Sequence, residues 1–403
     1  MKTFIIPYYV TPNPNVLLAK AGTFTEPGAT GNQSISGLGF TPKLVLFFYN
    51  RATADGTPNI AEMGFGVGVS SSNRRAIDFQ SDDNLTTSAN GIVNQNALCI
   101  KFFGSASAAD FVSLDTDGFT VNWTAVSGAS YLVNYLAIGG SAFTNAFAGT
   151  LAAKTSTGNQ AYTGVGFQPD AMMYFAGKWA VDPTNAGGQG GFVLGAASSS
   201  SARGWVGERS KNAANPQRAF HRHSTTHVAG SLTDSGVANE ADLVSFDTDG
   251  FTLNFTSAVG SADSLYYLAL KGGHYKVGNL TQPGATGNQT TSGVGFTPKA
   301  LILLSSNDTT ANVDSTLADG QISLGWASGA SERGCMWAGD KDNVSPTQAD
   351  KSLDRTKILK LYSPGTPTLN AAADLDSFTS DGFVLNWTTV DATARQIIYL
   401  AIG

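Results

Sequence analysis

Three of the four histidines lie close together in the sequence. Among the residues of this chain, their spacing fits a metal site best. His221 and His223 are two residues apart, so a strand would project both rings from one face, and His227 could complete a set of ligands. Nothing like this cluster recurs elsewhere in the chain. The alternative, which we favour, is a polar segment without metal, and we expect no cofactor.

Paired aspartates in the sequence DTDG raise the question of calcium. Asp115 and Asp117 form one pair, and Asp247 and Asp249 form another. A third, related segment has Thr379 at the first position, and no glutamate follows at the spacing of a calcium-binding loop. We therefore expect these aspartates to shape turns.

A cation recurs after a Ser/Gly-rich turn in three related segments. These read GVGVSSSNRRAI, VLGAASSSSARGW and SLGWASGASERGC, and their repeated cations are Arg75 (or its neighbour Arg74), Arg203 and Arg333. Each arginine could bind a loop carboxylate or carbonyl, or it could contact a ligand or a neighbouring subunit. We favour the first interpretation.

The remaining composition points away from catalysis and nucleic-acid binding. The chain contains no G-x-S-x-G segment, no phosphate loop and no histidine beside a repeated serine or cysteine. Its net charge is −6 without a basic run, which disfavours a nucleic-acid partner. Cys99 and Cys335 occupy unrelated positions, so we expect free, buried thiols. We predict a protein that is not an enzyme.

These residues must be positioned by a unit that the chain contains three times. The segments ADFVSLDTDGFTVNWT (Ala109–Thr124), ADLVSFDTDGFTLNFT (Ala241–Thr256) and ADLDSFTSDGFVLNWT (Ala373–Thr388) recur at a constant interval. Asp-Gly supplies a tight turn, and the alternation after it indicates a half-buried strand. The pattern predicts a core made from six aromatic residues: Phe119, Phe251, Phe383, Trp123, Phe255 and Trp387.

A second segment opens each repeat. It reads TGNQSISGLGFTPK, TGNQAYTGVGFQPD and TGNQTTSGVGFTPK, and each copy leads into a continuous apolar run. Those runs are Leu44–Tyr49, Ala171–Ala176 and Ala300–Leu304. Continuous apolar character predicts strands that are buried on both faces or in the core of a sandwich.

The fold class that these patterns predict is all-β, with three tandem homologous β-sandwich domains of jelly-roll-like type. The domains should span 17–140, 141–272 and 273–403, packed closely around a pseudo-threefold axis. Each unit of about 130 residues is large enough to bury its own core. We expect no continuous core across two repeats.

Residues 1–16 precede the first repeat. Proline at this density prevents a helix and favours extended chain. We predict an extended arm that docks on another subunit, and the alternative is a disordered tail. The apolar residues of the arm are Phe4, Ile5, Ile6, Tyr8, Tyr9 and Val10.

The repeats diverge most before the ADF/ADL segment, over 81–97, 208–240 and 339–370, and we expect surface loops there. The stretches 73–97 and 211–239 are the candidate reading surface if the protein binds a glycan. No apolar stretch is long enough to span a bilayer, and the N-terminus does not fit a signal peptide. We expect synthesis in the cytoplasm.

The GxGFxPK and SFxxDGFxxNxT segments, with closing strands that end in YLAIG or YLALK, resemble a domain of tailed-bacteriophage virion proteins. Such domains occur in head-decorating proteins and tail fibres, and the resemblance covers nearly all of 17–403. It implies a non-catalytic virion component that decorates or cements the head or tail, with capsid or tail subunits as partners. The alternative is a receptor- or glycan-binding tail-fibre module.

Overall fold

The computed structural model describes residues 15–180, 184–188, 190–233, 236–258, 260, 264–312, 314–315 and 319–403. These residues contain β-strands and no α-helix, so the all-β prediction is confirmed. Within these ranges there is accordingly no helix that could cross a membrane. The arm residues Phe4, Ile5, Ile6, Tyr8, Tyr9 and Val10 lie outside the described part.

Each repeat supplies one series of strands. The first has β1 Leu17–Thr25, β2 Gly31–Ser36, β3 Pro42–Tyr49, β4 Ala61–Ser70, β5 Asn73–Ser81, β6 Asn90–Gln95, β7 Ile100–Lys101, β8 Ala108–Asp115, β9 Gly118–Ala125 and β10 Leu132–Gly140. The second has β11 Phe143–Ala152, β12 Gly158–Thr163, β13 Ala171–Ala180, β14 Thr184–Gly187, β15 Gly190–Ser199, β16 Ala202–Ser210, β17 Ala219–Ser224, β18 Ala229–Thr233, β19 Gly236–Asp247, β20 Gly250–Ser257 and β21 Ser264–Gly272. The third has β22 Tyr275–Thr281, β23 Gly287–Thr291, β24 Ala300–Ser305, β25 Asp314–Ser315, β26 Gly320–Gly329, β27 Glu332–Asp340, β28 Ala349–Asp354, β29 Leu359–Ser363, β30 Thr368–Thr379, β31 Gly382–Thr389 and β32 Gln396–Ile402.

Two antiparallel sheets face each other in every repeat, as the sandwich prediction requires. In the first repeat the large sheet runs β1-β10-β3-β4-β5-β6 and the small sheet runs β2-β9-β8-β7. The second and third repeats keep this order, with large sheets β11-β21-β13-β15-β16-β17 and β22-β32-β24-β26-β27-β28. The three repeats are therefore copies of one sandwich.

The two shared sequence segments meet at one corner of each sandwich. The Asp117 carboxylate accepts hydrogen bonds from the backbone N–H groups of Gly37 (3.1 Å) and Gly39 (2.5 Å), both of which have positive φ. Asp249 and Asp381 make the same pair of bonds in their own repeats. The two N–H donors lower the pKa of Asp381. The aspartate of the DG turn thus fastens the Gly-x-Gly turn, and the predicted turn role is what the geometry shows.

Between the two sheets lies a separate aromatic core in each repeat. The six aromatic residues predicted for it are completely buried, so that prediction is confirmed. The Trp123 indole N–H donates to the Gln33 side-chain oxygen at 2.8 Å, and Trp387 donates to Gln289 at 2.9 Å. The glutamine of the TGNQ segment therefore satisfies the buried tryptophan. Cys99 and Cys335 are free and buried, as expected.

The opposite faces of the three large sheets pack against one another in a fourth core. Along β3, Val45 and Phe47 face the small sheet, whereas Leu46 and Phe48 point into this central core. The prediction that the apolar runs are buried on both faces is thereby confirmed.

The central core contains residues from all three repeats, and the expectation that no core spans two repeats is wrong. Phe48 of the first repeat stacks on Trp326 of the third at 4.3 Å, and Phe65 packs edge-on against Phe175 of the second at 5.0 Å. The reason is that both faces of each large sheet are apolar, so one small sheet cannot cover them.

Candidate functional site at the junctions between repeats

The repeated arginines link the two sheets of each sandwich. Arg203 donates to the Thr226 carbonyl (2.7 Å) and to Asp242 (2.8 Å). The Arg333 guanidinium contacts the Thr356 carbonyl (2.6 Å) and Asp374 (3.0 Å). Each arginine thus binds a loop carbonyl together with the aspartate of the ADF/ADL segment.

In the first repeat the corresponding cation is Arg74, and the assignment to Arg75 is wrong. Arg74 donates to the Ala97 carbonyl at 2.9 Å and pairs with Asp110. Arg75 points from the next position of β5 towards the second repeat, where it contacts the Thr150 hydroxyl (3.2 Å) and lies 5.4 Å from the Tyr266 ring centre. Because side chains alternate along a strand, neighbouring arginines reach different partners.

The histidines of β17 contact the third repeat. His221 lies 3.2 Å from the Asp308 carboxylate and 2.5 Å from the Asp319 carbonyl, and these partners raise its pKa against the opposing effect of burial. His223 contacts the Asn279 side chain at 2.9 Å, and burial lowers its pKa to about 4. Both rings therefore serve the junction between the second and third repeats.

His227 lies after the strand and has partners of its own. Its ring nitrogens are 3.2 Å from the Glu240 carboxylate and 3.1 Å from the Thr256 hydroxyl. Across the described residues, no group of three or more His, Cys, Asp or Glu side chains is arranged to hold a metal ion. Each of the three predicted histidines is instead engaged by protein groups.

A closed ring of backbone hydrogen bonds joins the three repeats. The Asn84 N–H donates to the Thr347 carbonyl, the Ala213 N–H to the Ser88 carbonyl, and the Asn343 N–H to the Gln217 carbonyl, all at 2.7–2.8 Å. The donors Asn84, Ala213 and Asn343 occupy one equivalent position and all have positive φ. The first repeat thus binds the third, the third binds the second, and the second binds the first, as in a cyclic trimer.

Side chains repeat the same cyclic pattern. Asp83 accepts from the Ala349 N–H, Asn212 from the Asn90 N–H, and Asp342 from the Ala219 N–H, each at 3.0 Å. In all three repeats, the acceptor is the residue immediately before the ring donor. The pseudo-threefold arrangement therefore extends to individual hydrogen bonds.

Strand addition closes the ring a second time. The short strand β14 of the second repeat pairs with edge strand β6 of the first, and β25 of the third pairs with β17 of the second. The first repeat forms isolated bridges to β28, through Gly56 with Leu353 and Asn59 with Asp350. Each large sheet thus has one edge covered by the next repeat, which removes an edge that could pair with another chain.

The segments expected to be a reading surface, 73–97 and 211–239, form most of these junctions. They include strands β5, β6, β17 and β18 and the ring donors and acceptors between them. The expectation of surface loops there holds only for short stretches such as the exposed residues 84–87, because the strands within these segments are largely buried. The segments diverge because each repeat meets a different neighbour. The sequence divergence that suggested loops therefore reflects these contacts between repeats.

Buried carboxyl groups lie where the three large sheets converge. Ser81, Ser210 and Asp340 end the three equivalent strands β5, β16 and β27, and the two serine hydroxyls are 3.4 Å apart. Asp340 accepts from the Gln217 amide at 2.9 Å, yet burial raises its pKa to about 7. Sequence reasoning missed this site because the signal, an aspartate aligned with two serines, needs the strand register.

Glu208 lies two residues before Ser210 on the same face of β16. The residue is only 1% exposed, and neither carboxylate oxygen has a hydrogen-bond partner within the described ranges. Burial, followed by the nearby Asp340, raises its pKa. An unpaired buried carboxyl group is stable in its neutral form, so we expect Glu208 to be protonated in the folded protein.

These groups predict that stability falls as the pH rises. A carboxyl group with a raised pKa in the folded state favours folding fully below its unfolded pKa, and this contribution is lost as the pH rises through the folded pKa. For Asp340 the window runs from its ordinary value of 3.8 to about 7. The loss is at most about 1.4 kcal/mol per pH unit for one proton. Urea unfolding between pH 5 and 8 measures it.

The control variant is Asp340→Ser, which introduces the residue that the other two repeats carry. It should flatten the pH dependence of the unfolding free energy and leave the wild type less stable than the variant at pH 8. An unchanged slope in this variant, or a wild-type protein that gains stability from pH 5 to pH 8, would contradict the assignment.

Comparison with known proteins adds little. No protein-family model matches the chain, and no curated protein is significantly similar to it. The major capsid protein P2 of bacteriophage PM2 has 8% identity and a TM-score of 0.20, over 62% of this chain and 97% of that chain. A fructofuranosidase from Schwanniomyces occidentalis has 7% identity and a TM-score of 0.11, over 92% and 97%. An anion-selective porin from Comamonas acidovorans has 10% identity and a TM-score of 0.11, over 96% and 98%. Likenesses this weak carry no argument.

Proposed function

We propose that this protein is a non-catalytic structural component of a phage virion, and that it decorates or cements the head or tail. The observation that carries the proposal is the closed ring of contacts among the repeats. Three sandwiches locked edge to edge around one core form a single-chain counterpart of a homotrimer. Such a body suits a location where three virion subunits meet, with one repeat facing each subunit.

The shared sequence segments give the virion part of the proposal. They resemble domains of tailed-phage virion proteins, and the structure assigns their recurring residues to turns, cores and sheet-to-sheet contacts. The Asp117 turn, the Trp123 indole and the Arg74 contact each have an intramolecular partner. These residues therefore support a rigid scaffold, and binding to capsid or tail subunits would use the exposed surface and the N-terminal arm.

Electron microscopy of purified particles tests the proposal. Gold-labelled antibody raised against the chain should bind over the head or along the tail of virions, while pre-immune serum should not. Labelling confined to distal fibre tips would favour the receptor-binding alternative, and particles without label would contradict a virion role.

Deletion of residues 1–14 tests the predicted arm. The deletion stops before Val16, whose carbonyl accepts from the Ala142 N–H at 3.1 Å, so this contact with the start of the second repeat is kept. We expect a truncated chain with unchanged thermal stability that no longer incorporates into particles. Normal incorporation would show that the arm is not the attachment segment.

A further inference from the structure

A polar cleft of about 450 Å³ opens where the first and third repeats meet. Asp83 and Asn84 of the first repeat form one wall. Gln348 and Asp350 of the third repeat form the other, and the β29–β30 hairpin closes one side with Thr366. The cleft thus lies beside the ring of inter-repeat hydrogen bonds, with Asp350 on strand β28 and the other lining residues in the adjoining loops and turns.

Asp350 carries the argument for a ligand. The residue is 4% exposed, and one carboxylate oxygen accepts from the Gly365 N–H at 3.0 Å. Its other oxygen has no hydrogen-bond partner among the residues that the structure describes, and it is not one of the side-chain atoms sealed off from solvent. Because Asp350 lines the cleft, this oxygen can accept from a donor that enters it.

The neighbouring Asp83 keeps its orientation through two bonds. It accepts from the Ala349 N–H at 3.0 Å and from the Asn59 amide at 2.9 Å. Its negative charge adds to burial in raising the pKa of Asp350. The cleft therefore holds two fixed acceptor groups whose mutual repulsion a bound hydrogen-bond donor would relieve.

The corresponding positions of the other repeats are filled. Strand register aligns Asp350 with Gly91 and Phe220. The Phe103 ring packs directly over Gly91, and Phe220 is itself buried. Of the three repeats, only the third has a carboxylate at this position in place of an apolar contact. Packing of the sandwich does not require this carboxylate.

The lining defines the class of ligand. The side chains of Gln348, Asn84 and Thr366 make no hydrogen bond with described residues, and Pro346 and Pro367 add apolar surface. None of the lining residues is cationic, which disfavours phosphates and acidic sugars. The volume falls within the range of roughly 300–1,000 Å³ typical of small-molecule sites and is far larger than one ion needs.

We infer that this cleft binds a neutral saccharide of one or two rings. Sugar hydroxyls would donate to Asp350 and Asp83 and exchange hydrogen bonds with the Gln348 amide, while ring C–H groups pack on the prolines. The inference is independent of the virion role, because a scaffold with or without that role can carry the cleft.

Saturation-transfer NMR on the full chain tests the inference. The probes are glucose, galactose, mannose, N-acetylglucosamine, cellobiose, lactose and chitobiose, with glucuronate and glucosamine as charged comparisons. At least one neutral sugar should bind with a Kd of about 1 mM or below. Asp350→Asn and Gln348→Ala should each weaken binding by about tenfold, as expected when one hydrogen bond to a ligand is lost.

The matched control is Asp376→Asn, which changes an exposed carboxylate of β30 outside the cleft and should bind like the wild type. Thermal unfolding of every variant verifies that the fold is kept. Retention on an immobilised polymer of the preferred sugar would show that the cleft binds a sugar unit within a polysaccharide. Binding of the free sugar without retention on the polymer would show that the ligand is a free saccharide. Absence of binding by all neutral probes, preference for a charged sugar, or unchanged binding by both cleft variants would overturn the inference.

Discussion

Replacing Trp326 with alanine is expected to lower the free energy of unfolding by roughly 3–5 kcal/mol. Trp326 is 1% exposed in the central core and stacks on Phe48 of another repeat with ring planes 6° apart. The equivalent positions carry the smaller Val67 and Ala196, so Trp326 is the largest of the three side chains at this position in the central core. Urea-induced unfolding followed by circular dichroism measures the loss.

Leu18→Ala is the matched control for this variant. Leu18 is 37% exposed, and its truncation should change stability by less than about 0.5 kcal/mol. A Trp326→Ala protein within about 1 kcal/mol of the wild type would show that the central core does not stabilise the molecule.

Replacing Phe251 with alanine is expected to cost a similar amount, roughly 3–5 kcal/mol, through a different core. Phe251 is fully buried inside the second sandwich, and its ring meets Tyr267 at 5.0 Å and Tyr162 at 5.3 Å. The cavity left behind would be enclosed by strands that cannot easily collapse. Thermal and urea unfolding should both move to less stable values.

The shape of the transition is as informative as its midpoint. Because the second sandwich shares the central core with its neighbours, Phe251→Ala should shift one transition for the whole chain. Val244→Ala is the control, since Val244 is 43% exposed. An early transition confined to about a third of the signal would mean that the second repeat unfolds alone.

The elements of the fold followed directly from local sequence chemistry. The alternating residues after Asp117-Gly118 predicted the buried face that contains Phe119 and Trp123, and both are completely buried. The apolar run of β3 predicted burial on both faces, and its side chains do enter two different cores. Patterns that depend on neighbouring residues in one strand could be read from the sequence.

Contacts between distant segments could not be predicted in the same way. The carboxylate of Asp117 and the amides of Gly37 and Gly39 belong to segments far apart in the chain, and only the fold places them together. The apolar run of β3 nevertheless contained a signal for the central core. A strand buried on both faces within a two-layer sandwich needs a third layer, and here the other repeats provide it.

The junction residues were missed for a related reason. His221 and His223 suggested a ligand set because their spacing was considered alone, whereas their partners Asp308 and Asn279 belong to the next repeat. Arg74 could not be distinguished from Arg75 as the repeated cation, because that choice needs the strand register. In a chain with internal repeats, residues that contact different neighbours differ between the copies. This sequence divergence resembles that of surface loops, so the interfaces between repeats are not recognised from the sequence.

The junctions also connect the fold with the proposed role. Lys351 of the third repeat donates to Glu62 at 2.8 Å, and Arg51 donates to the same buried carboxylate at 2.7 Å. Breaking such a buried ion pair is strongly destabilising, so this junction resists separation. A component that cements neighbouring subunits must transmit force between them, and locked junctions between repeats provide that rigidity.

Differential scanning calorimetry of the full chain tests most directly whether the three repeats form one body. The shared core and the closed ring predict a single transition in which the calorimetric enthalpy equals the van't Hoff enthalpy. Trp326→Ala and Phe251→Ala should move that transition as a whole. Separate transitions for the repeats, or a calorimetric enthalpy about three times the van't Hoff value, would show three independently folding sandwiches and contradict this account.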